Sequence, residues 1–359
     1  MGRIHLLIML VDQLTETLQD IEIDPDVEMT AMGMVDLNIS DSSSAYGLLK
    51  DSKIPGMLLY GPPGTGKTHL VRVMARQSHG VLIHVSAAEL LVKWVGDTEK
   101  LIKALFNLGR MLYPSIIFID EADALLCRRS GNDHRWERSQ LSQLLLQTDG
   151  FEKSSSQPFL ILATNHPQDL DPAVLRRVPC RLYMGFPSRE ARRKILSIHL
   201  REEKVDPNVD FGLLADRSRR FTGSDLRNVC IRAAQFCEME LRRSRTSDST
   251  RILQMGHLER ALKEIPPTAS EDSLRQLRLF AREFDPVALP RIDLEPIQRG
   301  SRLVDSAGIP EPTKRKSDAL TSNGNQLDSK RQKSSSSTAS QRVEEMLKKL
   351  PYATSVWGA

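Results

Sequence analysis

A glycine-rich segment at residues 61–68 carries the clearest chemical signal in the chain. It reads Gly-Pro-Pro-Gly-Thr-Gly-Lys-Thr and follows the apolar run Gly-Met-Leu-Leu-Tyr at 56–60. This spacing fits G-x-x-x-x-G-K-[ST], in which glycines let the backbone turn its N–H groups toward phosphate oxygens. Lys67 is therefore predicted to reach the β- and γ-phosphates of a nucleotide, and Thr68 to hold Mg²⁺. A simple Gly/Pro-rich turn is disfavoured because a strand pattern precedes the segment and a helix pattern follows it.

Two acidic residues after the apolar run 116–119 suggest hydrolysis of the bound nucleotide. Asp120 and Glu121 would stand at the C-terminal end of a buried strand, where carboxylates are costly unless they have a task. Ligands of open α/β sheets bind at that edge. Asp120 is predicted to hold Mg²⁺ through water, and Glu121 to orient and deprotonate an attacking water molecule. Acids that only cap the following helix are the alternative.

A third polar residue, Asn165, ends the apolar run Leu-Ile-Leu-Ala-Thr at 160–164. An amide at this place can hydrogen-bond both a γ-phosphate and an attacking water molecule. On its own, an asparagine after a strand is a common turn former. In combination with the two preceding motifs, we interpret Asn165 as a catalytic residue.

The pattern of apolar runs predicts the elements that would bring these residues together. From about 53 to 187, short apolar runs alternate with helical patterns, which is typical of an α/β domain with a parallel sheet. From 188 to about 284 the pattern is helical only. We expect a P-loop NTPase domain at 46–187, followed by a small all-helical lid domain at 188–285. Strands are predicted at 56–60, 81–85, 115–119, 159–163 and 181–184.

The two ends of the chain differ from these domains in composition. Residues 1–45 are expected to form an acidic, mostly irregular lead-in, apart from an apolar run at 6–11 that would begin a short amphipathic helix. That run is too short to cross a bilayer, which takes ~20 apolar residues. Residues 286–359 are expected to be a low-complexity and largely disordered tail. Basic clusters in the tail, at 314–316 and 330–333, resemble a bipartite nuclear signal, and a solvated, phosphorylatable tail is the alternative.

Bulk composition excludes few functions. Hydrophobic residues make up 40% of the 359 residues, charged residues make up 27%, and the net charge is +4. This charge is too small to indicate a nucleic-acid partner. The four cysteines have neither metal-ligand nor disulfide-framework spacing, which indicates a reducing compartment. We expect an intracellular, cytosolic protein without a transmembrane segment; the nucleus and the mitochondrial surface stay open.

In type and order, these motifs resemble those of the AAA ATPases over residues 46–284. The resemblance is strongest to the branch that holds katanin, spastin, fidgetin and the mitochondrial outer-membrane protein extractors. Lys-Trp-Val-Gly-Asp-Thr-Glu-Lys at 93–100 is similar to that branch's first pore loop. Leu-Arg-Arg-Val-Pro-Cys-Arg at 175–181 is similar to its arginine-finger segment, and Phe-Thr-Gly-Ser-Asp-Leu at 221–226 to the start of its second-sensor helix.

The family resemblance implies ATP and Mg²⁺ as ligands and a ring of subunits, usually a hexamer, with ATP at each subunit boundary. Arg177 and Arg181 would reach the neighbouring subunit's site, where arginine suits the stabilisation of phosphoryl charge; surface arginines at a helix end are the alternative. Metal ligands would be Thr68 and Asp120. Nucleotide-binding residues would be Gly61, Pro62, Pro63, Gly64, Thr65, Gly66, Lys67, Thr68, His69, Asp120, Gly223 and Ser224.

The resemblance also implies a protein substrate, gripped by a pore loop that contains Lys93, Trp94 and Val95. Ordinary core packing of Trp94 is the alternative. We expect ATP hydrolysis to drive remodelling, extraction or unfolding of protein substrates through the ring. Residues 36–52 are shorter than the segment that usually precedes the phosphate loop in this family. A nucleotide-binding regulatory or interaction protein with weak or no independent ATPase activity is therefore the alternative. An RNA helicase is disfavoured because the region after the α/β domain is helical.

Overall fold

The computed structural model describes residues 7–9, 22–39, 56–90, 97–128, 142–148, 157–244 and 251–293. The predicted pore-loop residues Lys93, Trp94 and Val95 lie outside the described residues. The tail beyond residue 293, with its two basic clusters, lies outside them as well.

A six-stranded sheet forms the centre of the described chain, in the order β1-β3-β4-β5-β2-β6. Strands β2 to β6 run parallel, and β1 pairs antiparallel with β3. Each strand that the sequence predicts is present, with its ends shifted by no more than one residue. The strands are β1 (Leu7–Met9), β2 (Gly56–Tyr60), β3 (Val81–Ser86), β4 (Ser115–Asp120), β5 (Phe159–Thr164) and β6 (Cys180–Tyr183).

Helices surround the sheet and continue beyond it as a separate helical layer. Those interleaved with the strands are α1 (Pro25–Ile39), α2 (Lys67–Gln77), α3 (Ala87–Leu90), α4 (Asp97–Met111), α5 (142–148) and α6 (Pro172–Arg177). The later helices are α7 (Arg189–His199), α8 (Phe211–Arg217), α9 (Gly223–Ser244), α10 (Met255–Glu264), α11 (Glu271–Phe284) and α12 (Leu289–Asp293). Short 3-10 turns occur at Ala122–Ala124, Pro167–Asp169 and Pro286–Ala288.

The central strands are covered on both faces, which explains their continuous apolar sequences. Every residue of β2 and of β5 is buried, as are Ile116 to Ile119 of β4. Parallel strands need such runs because crossover helices pack on both sides of the sheet. The predicted P-loop architecture is confirmed in this part of the chain.

The lead-in differs from its prediction at two places. Leu7–Met9 is a strand on the outer edge of β3 and not part of a helix. Residues 25–39, expected to be irregular, form the 15-residue helix α1. Val27, Ala31 and Val35 recur every fourth residue along α1 and lie in the same buried cluster as residues of the sheet. This spacing gives α1 one buried apolar face, and apolar residues on its exposed side, Met29 and Leu37, blur the helical pattern in the sequence.

The helical layer has a core of its own, as the sequence predicts. Leu196, Leu226, Val229, Ala233 and Leu258 lie in one buried cluster of α7, α9 and α10. Helical structure extends past the predicted boundary at residue 285, through α12 to Asp293. Within the described part of the chain, no helix is both long and apolar enough to cross a membrane.

Candidate nucleoside-triphosphate site

The phosphate loop follows β2 and depends on its glycines, as Gly64 and Gly66 illustrate. Gly64 has φ +77° and Gly66 has φ +96°, backbone conformations that favour glycine. A Cβ on Gly64 would lie 2.8 Å from Thr222 Oγ1 and 2.9 Å from Ser224 Cβ. The start of α9 therefore approaches the loop so closely that a side chain at residue 64 has no space.

Lys67, the first residue of α2, holds its amine against the loop itself. Its Nζ donates to the carbonyl of Gly61 at 3.0 Å and to that of Pro62 at 2.8 Å. Burial lowers the pKa of Lys67 to about 8, and the nearby carboxylates of Asp120 and Asp123 act in the opposite direction. Phosphate oxygens at this loop would favour the charged amine further.

The predicted metal ligands lie side by side. The Thr68 hydroxyl donates to Asp120 Oδ2 at 2.8 Å, which joins the start of α2 to the end of β4. Glu121, exposed at the next position, has φ 53° and donates its backbone N–H to Asp120 Oδ1 at 3.0 Å. A left-handed backbone at a non-glycine residue is uncommon outside turns and functional sites.

His84 is a neighbour of this carboxylate that the sequence analysis missed. Its Nε2 lies 4.0 Å from Asp120 Oδ2, and its ring packs on Phe118 at a centroid distance of 4.9 Å. Burial lowers the pKa of His84, against the opposing effect of Asp120. The available signal was a polar residue inside the apolar strand 81–86, which lies next to β4 in the sheet.

Asn165 lies directly after β5, at the same edge of the sheet. Its side-chain oxygen is buried and has no hydrogen-bond partner among the described residues. The preceding residue, Thr164, donates its hydroxyl to Asp123 Oδ1 at 2.5 Å and accepts from the backbone N–H of His166 at 2.9 Å. The segments after β4 and β5 are thus joined, and Asn165 keeps an unused acceptor at the site.

A second connection between these two segments lies further from the sheet. Cys127 and Leu170 form an isolated antiparallel bridge. The Arg128 N–H donates to the Asp169 carbonyl at 2.7 Å, and the Asp171 N–H donates to the Leu126 carbonyl at 2.9 Å. These bonds hold the segment after Glu121 against the segment after Asn165.

The start of α9, which contains the predicted nucleotide-binding residues Gly223 and Ser224, contacts the phosphate loop directly. The Ser224 N–H donates to the Gly64 carbonyl at 3.2 Å. Asp225, which is buried, accepts from the backbone N–H and the hydroxyl of Thr222, each at 2.9 Å, and from Thr268. This network fixes the end of the helical layer that lies against the loop.

A histidine pair lies where the helical layer meets α2. His199 is the last residue of α7, and burial lowers its pKa. Arg227 and His69, the residue after Thr68, act in the same direction. His69 is one of the predicted nucleotide contacts, but its proximity to His199 was not predicted.

The two predicted finger residues have different surroundings. Arg177 ends α6, is half-buried, and donates to the carbonyl of Ala173 at 3.3 Å. Arg181 lies in β6 and donates to the carbonyls of Leu175 at 2.9 Å and Phe284 at 2.6 Å. Both guanidinium groups therefore have acceptors within their own chain, and the contacts of Arg181 come from two different helices.

The donor set fits a triphosphate with Mg²⁺. A loop built on glycines, a buried amine and a helix N-terminus are the groups that hold phosphates. A hydroxyl beside a carboxylate supplies the oxygen ligands that Mg²⁺ prefers, and Asn165 contributes an unpaired buried acceptor. The sheet and this site define a P-loop nucleotide-binding domain of the α/β class.

The family of this domain follows from comparison with known proteins. Residues 57–186 match the model of the "ATPase family associated with various cellular activities (AAA)". This part of the chain is an AAA domain. The resemblance inferred from the sequence is confirmed.

Named relatives come from the branch that the sequence analysis identified. The chain is 37% identical over 239 residues to "Spastin homolog" of Caenorhabditis elegans, a match that covers 64% of this chain and 47% of that protein. It is 38% identical over 216 residues to the Homo sapiens "Outer mitochondrial transmembrane helix translocase", with 58% and 60% covered. The chain thus spans about half the length of these curated relatives.

A solved structure supports the same relationship. The "Crystal structure of FIGL-1 AAA domain" matches with a TM-score of 0.68 at 29% sequence identity, over 77% of this chain and 92% of that one. The parallel sheet and its surrounding helices are therefore those of an AAA domain.

Proposed function

We propose that the chain hydrolyses ATP, and that hydrolysis drives remodelling, extraction or unfolding of protein substrates by a ring of subunits. The observation that carries the chemical part is the 2.8 Å contact between Thr68 Oγ1 and Asp120 Oδ2, beside the buried amine of Lys67. It brings a hydroxyl and a carboxylate from distant parts of the sequence to one point at the loop. If Asp120 only capped the following helix, it would not need a hydrogen bond from Thr68.

Each residue has a separate task in the proposed reaction. The loop N–H groups and Lys67 would bind the β- and γ-phosphates, while Thr68 and Asp120 would hold Mg²⁺. When bound, Mg²⁺ would neutralise charge on the phosphate oxygens. Glu121 would accept a proton from the water that attacks the γ-phosphorus. Asn165 would use its unpaired side-chain oxygen to orient that water.

The mechanical part of the proposal rests on resemblance. The names of the relatives refer to spastin and to a transmembrane helix translocase, and the segment at 93–95 resembles a pore loop that grips a polypeptide. We infer a ring, usually a hexamer in this family, in which Arg177 acts on the neighbouring site. An arginine supplied in this way accelerates phosphoryl transfer by about 10³–10⁵. An intracellular location accords with the four cysteines, none of which is in a disulfide in the described part of the chain.

One observation favours the alternative of a nucleotide-binding regulatory protein. Arg181, assigned to the neighbour's site by resemblance, is bonded to two carbonyls of its own chain. If both predicted fingers are held in this way, the subunit binds ATP without contributing an arginine to the neighbouring subunit's ATP site.

Steady-state hydrolysis of Mg-ATP by the wild type and by Glu121→Gln tests the enzyme directly. We expect the variant to bind ATP normally and to lose about 100-fold or more in kcat. Equal and negligible rates would contradict the proposal. The mass of Glu121→Gln in solution with ATP tests the ring, because a persistent monomer would favour the regulatory alternative.

A further inference from the structure

The C-terminal end of α11 accepts hydrogen bonds from Tyr60, directly before the phosphate loop, and from Arg181 in β6, and the proposed reaction uses neither bond. The carbonyl of Phe284, the last residue of α11, accepts from Arg181 Nη1 at 2.6 Å. The carboxylate of Asp285, the next residue, accepts from the Tyr60 hydroxyl at 2.7 Å. Arg181 Nη2 also donates to the Leu175 carbonyl at 2.9 Å. These three hydrogen bonds are called the α11 clamp below.

Arg181 donates hydrogen bonds to backbone carbonyls at the ends of two helices. Leu175 lies in the last turn of α6, and the residue four positions later is Pro179, which has no N–H to offer its carbonyl. Phe284 likewise belongs to the last turn of α11, where carbonyls lack partners in their own helix. A positive guanidinium is favourable at the negative end of each helix dipole. Arg181 therefore fixes the end of α6 relative to the end of α11.

Tyr60 provides the second half of the clamp, at the phosphate loop. It is the last residue of β2, is 0% exposed, and directly precedes Gly61. Its ring packs edge-on against Phe280 of α11 at a centroid distance of 5.1 Å. Burial and the Asp285 carboxylate raise its pKa, so the phenol stays protonated and donates its hydrogen bond. The end of β2 that leads into the phosphate loop is therefore tied to α11.

We propose that the α11 clamp positions the end of α6 relative to the phosphate loop, and that Arg181 is a positioning residue and not itself a finger. The arginines that it would position are Arg176, which is exposed, and Arg177, both in the last turn of α6. This proposal rests on the proposed function insofar as Arg176 or Arg177 acts on a neighbouring subunit's ATP.

The contacts of Arg181 distinguish this role from that of a finger. To reach another subunit, Arg181 would have to leave the carbonyls of both Leu175 and Phe284. The Leu175 carbonyl would then lose a partner that its own helix cannot replace. Arg176 and Arg177 lie one helical turn before β6, on the same short helix whose end the clamp holds. Release of Arg181 would therefore loosen the helix end that carries Arg176 and Arg177.

Amide hydrogen exchange of the full chain without nucleotide tests the positioning. Arg181→Gln removes the double hydrogen bond, and Tyr60→Phe removes only the hydroxyl at the other end of the clamp. We expect both to accelerate exchange in residues 172–183 by roughly threefold or more, since local openings follow the loss of local contacts. Arg282→Gln, an exposed arginine in the last turn of α11, is the matched control and should exchange as the wild type does. Unchanged exchange in both clamp variants would overturn the proposal.

Steady-state kinetics separates positioning from general stability. We expect Arg181→Gln and Tyr60→Phe each to lower kcat about tenfold, with the KM for ATP changed by less than about twofold. Their unfolding temperatures should stay within about 4 °C of the wild type. A loss of kcat that only accompanies a large fall in unfolding temperature would overturn the proposal. Arg181→Lys, which keeps the charge but cannot span both carbonyls, serves if Arg181→Gln folds poorly, and it should also lower kcat.

The double variant tests whether the two residues act through one device. Because both substitutions break the same clamp, the double variant should lose about as much kcat as the worse single variant. If Arg181 were a finger acting independently of Tyr60, the losses would multiply to about 100-fold, and that result would overturn the proposal. If the wild type does not hydrolyse ATP, the proposed function fails, while the exchange measurement still decides whether the clamp positions α6.

Discussion

The backbone N–H of Ser224 donates to the carbonyl of Gly64 at 3.2 Å, which joins the first turn of α9 to the phosphate loop. The helical layer is thereby in direct contact with the predicted phosphate-binding segment. A ligand at the loop and a movement of the helical layer would each affect the other through this bond.

Replacing Gly64 with alanine should damage the loop and the helical layer together. The new Cβ would meet Thr222 Oγ1 at 2.8 Å and Ser224 Cβ at 2.9 Å, on a backbone with φ +77°. We expect a loss of about 1–3 kcal/mol in the free energy of unfolding and at least about a tenfold weaker affinity for ATP. Urea unfolding and titration with a fluorescent ATP analogue measure the two effects.

Gly33→Ala is the matched control for that substitution. Gly33 lies inside α1, and a Cβ there would meet nothing within 4 Å. Alanine in a helix interior is favoured over glycine by about 0.5–1 kcal/mol, so this variant should gain stability and bind ATP unchanged. Equal losses of stability and of ATP affinity in the two variants would contradict the close approach of α9 to Gly64.

Lys67→Met should stabilise the nucleotide-free protein at pH 7 while abolishing ATP binding. Burial lowers the pKa of Lys67 from 10.5 to about 8, so folding at pH 7 must bury a charge. Relief of that cost should raise the free energy of unfolding by about 1–2 kcal/mol, after allowance for the two carbonyls left without a donor. Urea unfolding without nucleotide measures the gain.

The stability gained by Lys67→Met should depend on pH. Because the folded-state pKa lies below the unfolded value, the cost of the charge is full below pH 8 and disappears as the pH rises toward 10.5. The advantage of Lys67→Met should therefore be smaller at about pH 9.5 than at pH 7. An advantage that grows with pH would show that the amine is not buried as described.

Asp225→Ala should destabilise the start of α9. The carboxylate is 1% exposed and accepts from the N–H and hydroxyl of Thr222 and from Thr268. Its removal leaves these donors without their acceptor, at a cost of about 2–4 kcal/mol in the free energy of unfolding. We also expect weaker ATP binding, since Thr222 lies against Gly64. Chemical denaturation and the ATP titration check both.

Asp216→Ala provides the exposed counterpart of that change. Asp216 pairs with Arg189 at 2.5 Å on the surface of the helical layer. Exposed ion pairs contribute little to stability because solvent screens them, so this variant should unfold close to the wild type. A comparable loss at both positions would mean that burial does not determine the importance of Asp225.

Val35→Ala tests whether α1 belongs to the folded core. Val35 is 0% exposed and lies in the cluster that contains residues of the sheet. Its truncation should cost about 1–3 kcal/mol in the free energy of unfolding. Met29→Ala, at a position that is 74% exposed on the same helix, should cost less than about 0.5 kcal/mol. If both variants unfold like the wild type, α1 does not contribute to the core.

The parallel sheet and the groups at its edge could be predicted because their signals are local. Ile116 to Ile119 form four consecutive apolar residues, a pattern that a strand covered on both faces requires. The motif spacing then placed Lys67, Thr68 and Asp120 at one edge without any knowledge of tertiary contacts. The structure brings the last two within hydrogen-bond distance.

Other features depend on tertiary context that no local pattern contains. Leu7–Met9 is a strand because an edge of β3 is available to it, and a short apolar run does not reveal its partner. The buried face of α1 was hard to recognise because Met29 and Leu37 place apolar side chains on its exposed side as well. The two carbonyls bound by Arg181 lie six positions before it and more than a hundred positions after it along the chain. Sequence resemblance suggested that Arg181 is an arginine finger, but it contained no information about these two carbonyl acceptors.

Cys127, which forms a backbone bridge with Leu170, is a natural attachment site for a chemical probe. Cys127 is exposed, whereas Cys230 and Cys237 are buried and Cys180 is half-buried. Burial raises the thiol pKa of those three residues, to about 11 for Cys180 and about 12 for Cys230. Thiolates are the species that maleimides capture. A dye added to the unmodified chain should therefore attach first at Cys127, between the segments that carry Glu121 and Asn165, and its emission would follow the state of the nucleotide site.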